Sequence, residues 1–303
     1  MTPTKHSFIF ILILMFVFCI GESVAAEIDP RQSPPLKIFV SILPAQYLVD
    51  RVGGDRVQVE TLVQPGHSPA TYAPTPKQMA NLAASQVYFT IGVPFENSLI
   101  PKLNRSVPHL ATVDLQKGIN LQALSASDPH DDHHHEEGEL DPHTWLDPSL
   151  AMKQALIIRD TLINHDPDGQ IEYKKNYKNL AADLTRLNQL LAETLKPYAG
   201  STLFVFHPAY GYFCRAYDLR QRAVTPNGKN PGARHIARII AQAQDEKARV
   251  IFVQPQFSNK AARTIAQAIE GKVVALDPLA YEYLENLESI GRQIISSLPE
   301  LQN

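Results

Sequence analysis

The stretch Asp168-Gly169-Gln170-Ile171-Glu172-Tyr173-Lys174-Lys175-Asn176-Tyr177-Lys178-Asn179-Leu180, continuing through Ala181-Ala182-Asp183-Leu184-Thr185-Arg186-Leu187-Asn188-Gln189-Leu190-Leu191-Ala192-Glu193-Thr194-Leu195-Lys196, decides the architecture. No helix breaker follows Gly169, and Tyr177, Leu180, Leu184, Leu187, Leu191 and Leu195 recur in steps of three and four along one face. Lys196-Pro197 and Tyr198-Ala199-Gly200 end the run. At 1.5 Å per residue the segment spans roughly 40 Å, about the width of a small domain. Periodicity alone fits either a strut between two halves or a long helix inside one domain. The flanks favour the strut.

On the N-terminal side, Leu36 to Ile42, Val57 to Val63 and Val87 to Ile91 read as short β-rich strands bounded by Gly or Pro. Helical patterns at Pro44 to Val52 and Pro76 to Ala84 lie between them, the second entered through the N-cap pair Thr75-Pro76. After residue 200 the rhythm repeats, with strands at Thr202 to Phe206, Val250 to Val253 and Lys272 to Leu276. Helices fall near Ala233 to Gln244 and Ser258 to Ile269. Strands alternating with helices argue for mostly parallel sheets covered by helices. The expected fold is therefore α/β: two lobes over 36–165 and 200–303, joined by one long rigid helix over 168–197.

The N-terminus reads as an export signal over residues 1–26. Lys5 precedes an unbroken apolar run from Phe8 to Ile20, and Ser23-Val24-Ala25-Ala26 offers small residues for cleavage. The run is too short for a comfortable permanent span, so a removed signal is the better reading and a retained anchor the alternative. Phe18 before Cys19 argues against lipidation. About 277 residues then remain, enough for two modest domains. No later stretch is long and apolar enough to cross a membrane, so a soluble, monomeric mature chain is expected. With a net charge of -3 and no basic stripe, nothing suggests nucleic acid. Cys214 is alone once Cys19 is gone, which excludes an internal disulfide and a thiolate-rich metal site. It reads as a small buried hydrophobe within Tyr212-Phe213-Cys214.

Residues 125–139 (SASDPHDDHHHEEGE) cannot build a core, since Ala126 is their single aliphatic residue. His130, His133, His134 and His135 among carboxylates form an ancillary loop able to hold divalent ions weakly, because an unstructured site pays ordering entropy.

Three further His stand at suggestive places. His67 follows Pro65-Gly66, His143 lies in Asp141-Pro142-His143-Thr144-Trp145-Leu146-Asp147-Pro148, and His207 comes directly after the strand Leu203 to Phe206. Asp277 likewise follows a strand, in Leu276-Asp277-Pro278-Leu279. Open α/β sheets collect ligands beyond the carboxyl ends of their strands. Taken singly, each of these is weak; together, three imidazoles and one carboxylate suit Zn²⁺, which accepts four N or O donors tetrahedrally. Manganese and calcium favour more oxygen donors. Protons compete for the same nitrogens, so binding should weaken as pH falls towards the His range. His109, His165 and His235 lack partner motifs and read as structural or surface residues.

At these residues the chain resembles the zinc- and manganese-binding receptors of bacterial ABC importers, the ZnuA/TroA-like family, from about Lys37 to its end. Val40-Ser41-Ile42-Leu43-Pro44, Thr75-Pro76-Lys77-Gln78-Met79 and Gly92-Val93-Pro94-Phe95-Glu96 are similar to the N-terminal lobe of that family. Asp141 to Pro148, Phe206-His207-Pro208-Ala209-Tyr210-Gly211-Tyr212-Phe213, Val253-Gln254-Pro255-Gln256-Phe257 and Leu276-Asp277-Pro278-Leu279 are similar to its remaining motifs. The resemblance implies two (β/α) lobes with metal in the cleft between them, a periplasmic location, Zn²⁺ as transported ligand and a membrane permease as partner. Manganese members carry Glu where His207 stands, so His207 and the His-rich loop point to zinc.

One segment departs. The family usually reads Gly-x-Asp-Pro-His-x-Tyr-Glu-Pro, and this chain reads Gly66-His67-Ser68-Pro69-Ala70-Thr71-Tyr72-Ala73-Pro74. Ala70 stands at the usual ligand position and cannot bind metal. His67, three residues earlier, can take that role if the loop path changes modestly; otherwise water or a His from 130–135 completes the shell. The expected metal set is thus His67, His143, His207 and Asp277. A zinc hydrolase would need an open coordination position and a nearby base. There is no His-Glu-x-x-His pair, and the chain is not expected to be an enzyme. A metal-buffering chaperone or an adhesin with the same fold is the other rival.

Overall fold

The computed structural model describes residues 34–124, 140–225, 232–257 and 260–298. The first sheet holds β1 (Leu36–Val40), β2 (Val57–Thr61), β3 (Val87–Thr90) and β4 (Ala111–Asp114), all parallel, in the order β2-β1-β3-β4. Its crossovers are α1 (Leu43–Gly53), α2 (Pro76–Ala83) and α3 (Glu96–Ser106). Thr75 caps α2 as read from the sequence: its hydroxyl accepts from the Gln78 N–H, and the Gln78 side chain reaches back to the Thr75 N–H.

The second sheet repeats the plan with β5 (Thr202–Val205), β6 (Arg220–Ala223), β7 (Val250–Val253) and β8 (Lys272–Ala275), again parallel, in the order β6-β5-β7-β8. Two similar parallel sheets with helical crossovers answer the α/β expectation. Both leave their central strands nearly fully buried, as helices on two faces require: β3 and β7 have every residue buried.

Between the sheets lie α4 (Pro148–His165) and α5 (Gln170–Leu195). The second is the helix of the opening sequence. Its buried face is Tyr173, Leu180, Leu184, Leu187, Leu191 and Leu195, with Tyr177 only partly buried under the Arg159 guanidinium. It packs on α1 and α4 at one side and on the C-terminal α9 (Tyr283–Ile295) at the other. Gly291 of α9 allows that approach, since a Cβ there would come within 2.5 Å of Leu191. One apolar core runs from Ile38 and Leu48 of the first half through Leu184 to Leu203 and Ile290 of the second. A smaller core, including Phe204, Ile239, Ile251 and Ile265, fills the outer face of the second sheet, under α7 (Ala233–Asp245) and α8 (Lys260–Ala268).

The strand ends differ slightly from expectation. β1 and β2 finish at Val40 and Thr61, although Leu62 and Val63 still donate backbone bonds to Val40 and Ser41 before the chain leaves the sheet. The short edge strands β4 and β6 were not expected; Arg220-Gln221-Arg222 is polar and partly exposed, so it carries no apolar signal. Neither were α3, α4 and α9. Pro101 sits inside α3 and interrupts its pattern. No helix among the described residues is long and apolar enough to cross a membrane. The stretch read as an export signal lies outside the described residues.

Candidate metal site

The loops at the carboxyl ends of both sheets face a common cavity of about 100 Å³. Ser68, Pro69 and Ala70 after β2, and Val93 and Pro94 after β3, wall it on one side. His207, Gln254 and Phe257 wall it on the other, and His143 and Trp145 come from the connecting segment.

His207 lies two residues beyond β5, where the buried run Leu203 to Phe206 delivers it to the sheet edge. Its backbone is gripped from the neighbouring strand. The His207 N–H donates to Gln254 Oε1 at 3.3 Å, and Gln254 Nε2 donates to the His207 carbonyl at 2.8 Å. The imidazole leans on Phe257, with ring centroids 5.2 Å apart. Its Nδ1 is buried without a partner among the described residues. Desolvation, and then the nearby His143, push the ring's pKa down to about 3, so it stands neutral and ready to donate a lone pair.

His143 is held differently. Asp141, fully buried, accepts from the His143 backbone N–H at 2.9 Å and pairs with the ring Nδ1 at 2.7 Å through the same oxygen. A carboxylate on Nδ1 fixes the tautomer that leaves Nε2 as the free donor. Gly211, at the start of α6 (Gly211–Ala216), makes room for Asp141; a Cβ there would come within 2.6 Å of Asp141 Oδ2. The segment is anchored by Trp145, whose indole N–H donates to the Pro278 carbonyl at 2.7 Å, and by Tyr283, whose hydroxyl donates to the Trp145 carbonyl at 2.6 Å. The His143 and His207 rings thereby meet with centroids 5.5 Å apart. Each also touches an aromatic wall, His143 lying 5.1 Å from the Trp145 ring.

Asp277 and His67 line a neighbouring cavity of about 210 Å³, and Gln256 and Leu279 belong to the walls of both. Asp277 Oδ1 accepts from Gln256 Nε2 and from the Leu279 N–H, both at 2.9 Å. His67 is exposed on the β2–α2 loop, in edge contact with Tyr72 at 5.9 Å. Of the four residues expected to bind metal, the structure therefore pairs His143 with His207 and places His67 with Asp277 next door. Among the described residues, no three His, Cys, Asp or Glu side chains stand close enough together to hold one ion. His130, His133, His134 and His135 lie outside the described residues; Leu124, just before that segment, lines the cavity of His143 and His207.

Sequence reasoning quoted Asp141, Gln254 and Gln256 only as parts of motifs and gave them no role. Their signal was available: each is a polar residue at the mouth of an otherwise apolar strand end or ligand segment. Glu96, the last residue of the motif Gly92 to Glu96, is architectural: its buried carboxylate accepts from the Ile91 and Gly92 N–H groups and from Ser41, fixing the loop that carries Val93 and Pro94. Cys214 is buried, and burial raises its thiol pKa, as a small core hydrophobe would show.

Residues 38–296 match the family described as zinc-uptake complex component A, periplasmic. The chain belongs to that family. It is 28% identical to the high-affinity zinc uptake system protein ZnuA of Bacillus subtilis (strain 168), over 91% of this chain and 89% of the relative. A crystal structure of ZnuA superposes with a TM-score of 0.80 at 34% identity, covering 87% of this chain and 99% of that one. A zinc-bound deletion mutant of ZnuA gives a TM-score of 0.79, also at 34% identity, with 89% and 100% covered.

Proposed function

We propose that this chain is the zinc receptor of an ABC importer: it captures Zn²⁺ at the cavity between its two sheets and delivers the ion to a membrane permease. The observation that carries the reading is the His143–His207 pair, two imidazoles 5.5 Å apart at the carboxyl ends of the fold, one of them buried and neutral. Two nitrogen donors in a mostly apolar cavity favour zinc over manganese, which prefers oxygen. Asp277 supplies the third donor and the only charge. His67 supplies the fourth, in place of the ligand that Ala70 lacks, once the β2–α2 loop shifts towards the pair. Four protein donors close the site, which leaves no coordination position for a hydrolytic water; the chain is a receptor and not an enzyme.

The lobes run over 36–165 and 200–303, with 168–197 as the strut. Residues 1–26 direct export and are removed, and the mature chain works in the periplasm as a monomer without nucleic-acid partners. Family membership and the duplicated sheet plan support this organisation. Titration of metal-free protein with Zn²⁺ tests the function, because Trp145 lies beside His143 and reports on it by fluorescence. One tight Zn²⁺ per chain, bound in preference to Mn²⁺, is the expected result. Absence of tight binding, or a preference for Mn²⁺, would overturn the reading.

A further inference from the structure

The order of the second sheet places β7 between β5 and β8. The residues that follow β7 therefore sit between the two strands that carry His207 and Asp277. Those residues are Gln254-Pro255-Gln256, and their two side chains part in opposite directions. Gln254 reaches the β5 side and takes both backbone groups of His207, accepting from the N–H and donating to the carbonyl. Gln256 reaches the β8 side and donates to Asp277 Oδ1. A tight turn makes the divergence possible. The Phe257 N–H donates to the Gln254 carbonyl at 3.1 Å, and Pro255 stands at the position where a fixed φ favours such a turn.

We propose that this Gln-Pro-Gln turn is the positioning element of the metal site, holding both His207 and Asp277 for the incoming cation from one turn. The inference rests on the reading of His207 and Asp277 as zinc donors and adds the residues that aim them. Amides fit the task for a chemical reason. Gripping a backbone N–H and C=O together needs one acceptor and one donor on the same side chain, which an amide has and a carboxylate lacks. Gln254 is only 1% exposed, and both its amide atoms are occupied in this way. At Asp277, a neutral donor fixes one carboxylate oxygen and leaves Oδ2 without a protein partner among the described residues. The charge that must offset the metal is then undiluted. Gln256 is half-buried and lines both cavities, so the side chain that holds Asp277 belongs to the wall shared by the cavity of His143 and His207 and that of His67.

The test is a pair of double-mutant cycles read by Zn²⁺ affinity, measured by competition with a chelator. Gln256→Ala alone should weaken binding about tenfold, the lower end of what loss of an orienting partner costs. In an Asp277→Ala background, the same substitution should change affinity less than about twofold, since its effect passes through Asp277. Gln254→Met should behave likewise against His207→Ala. Thermal midpoints of the metal-free variants check folding, and the Gln256 cycle is decisive alone should Gln254→Met fail to fold. Unchanged or tighter binding in Gln256→Ala, or an equal loss in both backgrounds, would overturn the inference. If Asp277→Ala and His207→Ala themselves bind Zn²⁺ as tightly as the wild type, the donor assignment has failed, and that result is separate from a failure of the glutamines.

Discussion

The two sides of the proposed metal site are built on opposite plans. On the second-sheet side, His207 and Asp277 stand two residues beyond their strands, and each is tied to the turn after β7. On the first-sheet side, His67 stands six residues beyond β2, exposed on a Pro- and Gly-rich loop held by local turns such as His67 N–H to the Gln64 carbonyl. A donor close to a strand end inherits the rigidity of the sheet. A donor out on a loop can be replaced or moved without disturbing the core, and here Ala70 stands where the resemblance implies a ligand. The contrast teaches which half of the proposed site can vary: a fixed wall would set the geometry, and a loop wall would adapt to it.

Three measurements would break or sharpen that comparison. The largest effect belongs to the fixed wall. His207→Ala should lower Zn²⁺ affinity beyond the roughly hundredfold that loss of an orienting partner costs, because it removes a donor outright. A loss of only a few-fold, read by chelator competition, would mean that His207 is not central to the site.

On the loop wall, His67→Ala should cost about tenfold, or roughly 1.4 kcal/mol, since the order imposed on an exposed loop offsets part of what its donor contributes. No loss would remove His67 from the shell and leave the fixed wall to bind the ion without it. A loss equal to that of His207→Ala would abolish the distinction between the walls.

The smallest effect concerns stability in the metal-free protein, where the walls carry buried groups that titrate with opposite consequences. On the first-sheet side, burial pushes the Glu96 carboxyl up to about 7 from an ordinary 4.5, against the Ser41, Ile91 and Gly92 donors. Between those values the folded state keeps a proton that the unfolded chain releases, so stability falls as pH rises from about 4.5 to 7. On the other side, His207 is pushed down to about 3 from 6.5, so stability falls as pH drops from 6.5 towards 3. Glu96→Gln should remove the first dependence and leave the second. Its thermal midpoint should then rise steadily with pH over that range, by a few degrees relative to the wild-type trend. The slope is the readout, because Gln also places an amide against backbone donors and lowers the level throughout. An unaltered slope would show that Glu96 is ionised throughout this range.

Much of this was legible in the chain itself. The 3.6-residue spacing of Leu180, Leu184, Leu187, Leu191 and Leu195 announces a long one-faced helix, and these five residues are buried. Central strands such as Val250 to Val253 are apolar throughout because helices cover both faces, so composition alone finds them. Of the edge strands, β4 and β6 escaped because a strand half open to water needs no apolar run, while β2 and β8 carry enough β-branched residues to be read. Residue type likewise singles out His207 and Asp277 after their strands, and His143 within its motif, as candidate donors, since chemistry restricts what can bind a divalent ion.

Grouping is another matter. Sequence ranks His67 with the others by type and by the motif it sits in. Only the fold shows that His143 and His207 share one cavity while His67 and Asp277 share the next. Nor does spacing along the chain connect Gln254 with His207, 47 residues away, or Asp141 with a role at His143 beyond adjacency. The physical reason is that sheet order is set by long-range packing. It is the placement of β7 between β5 and β8 that turns a glutamine–proline–glutamine turn into a bridge between His207 and Asp277. Sequence determined what each residue can do, and the tertiary structure decided which of them do it together.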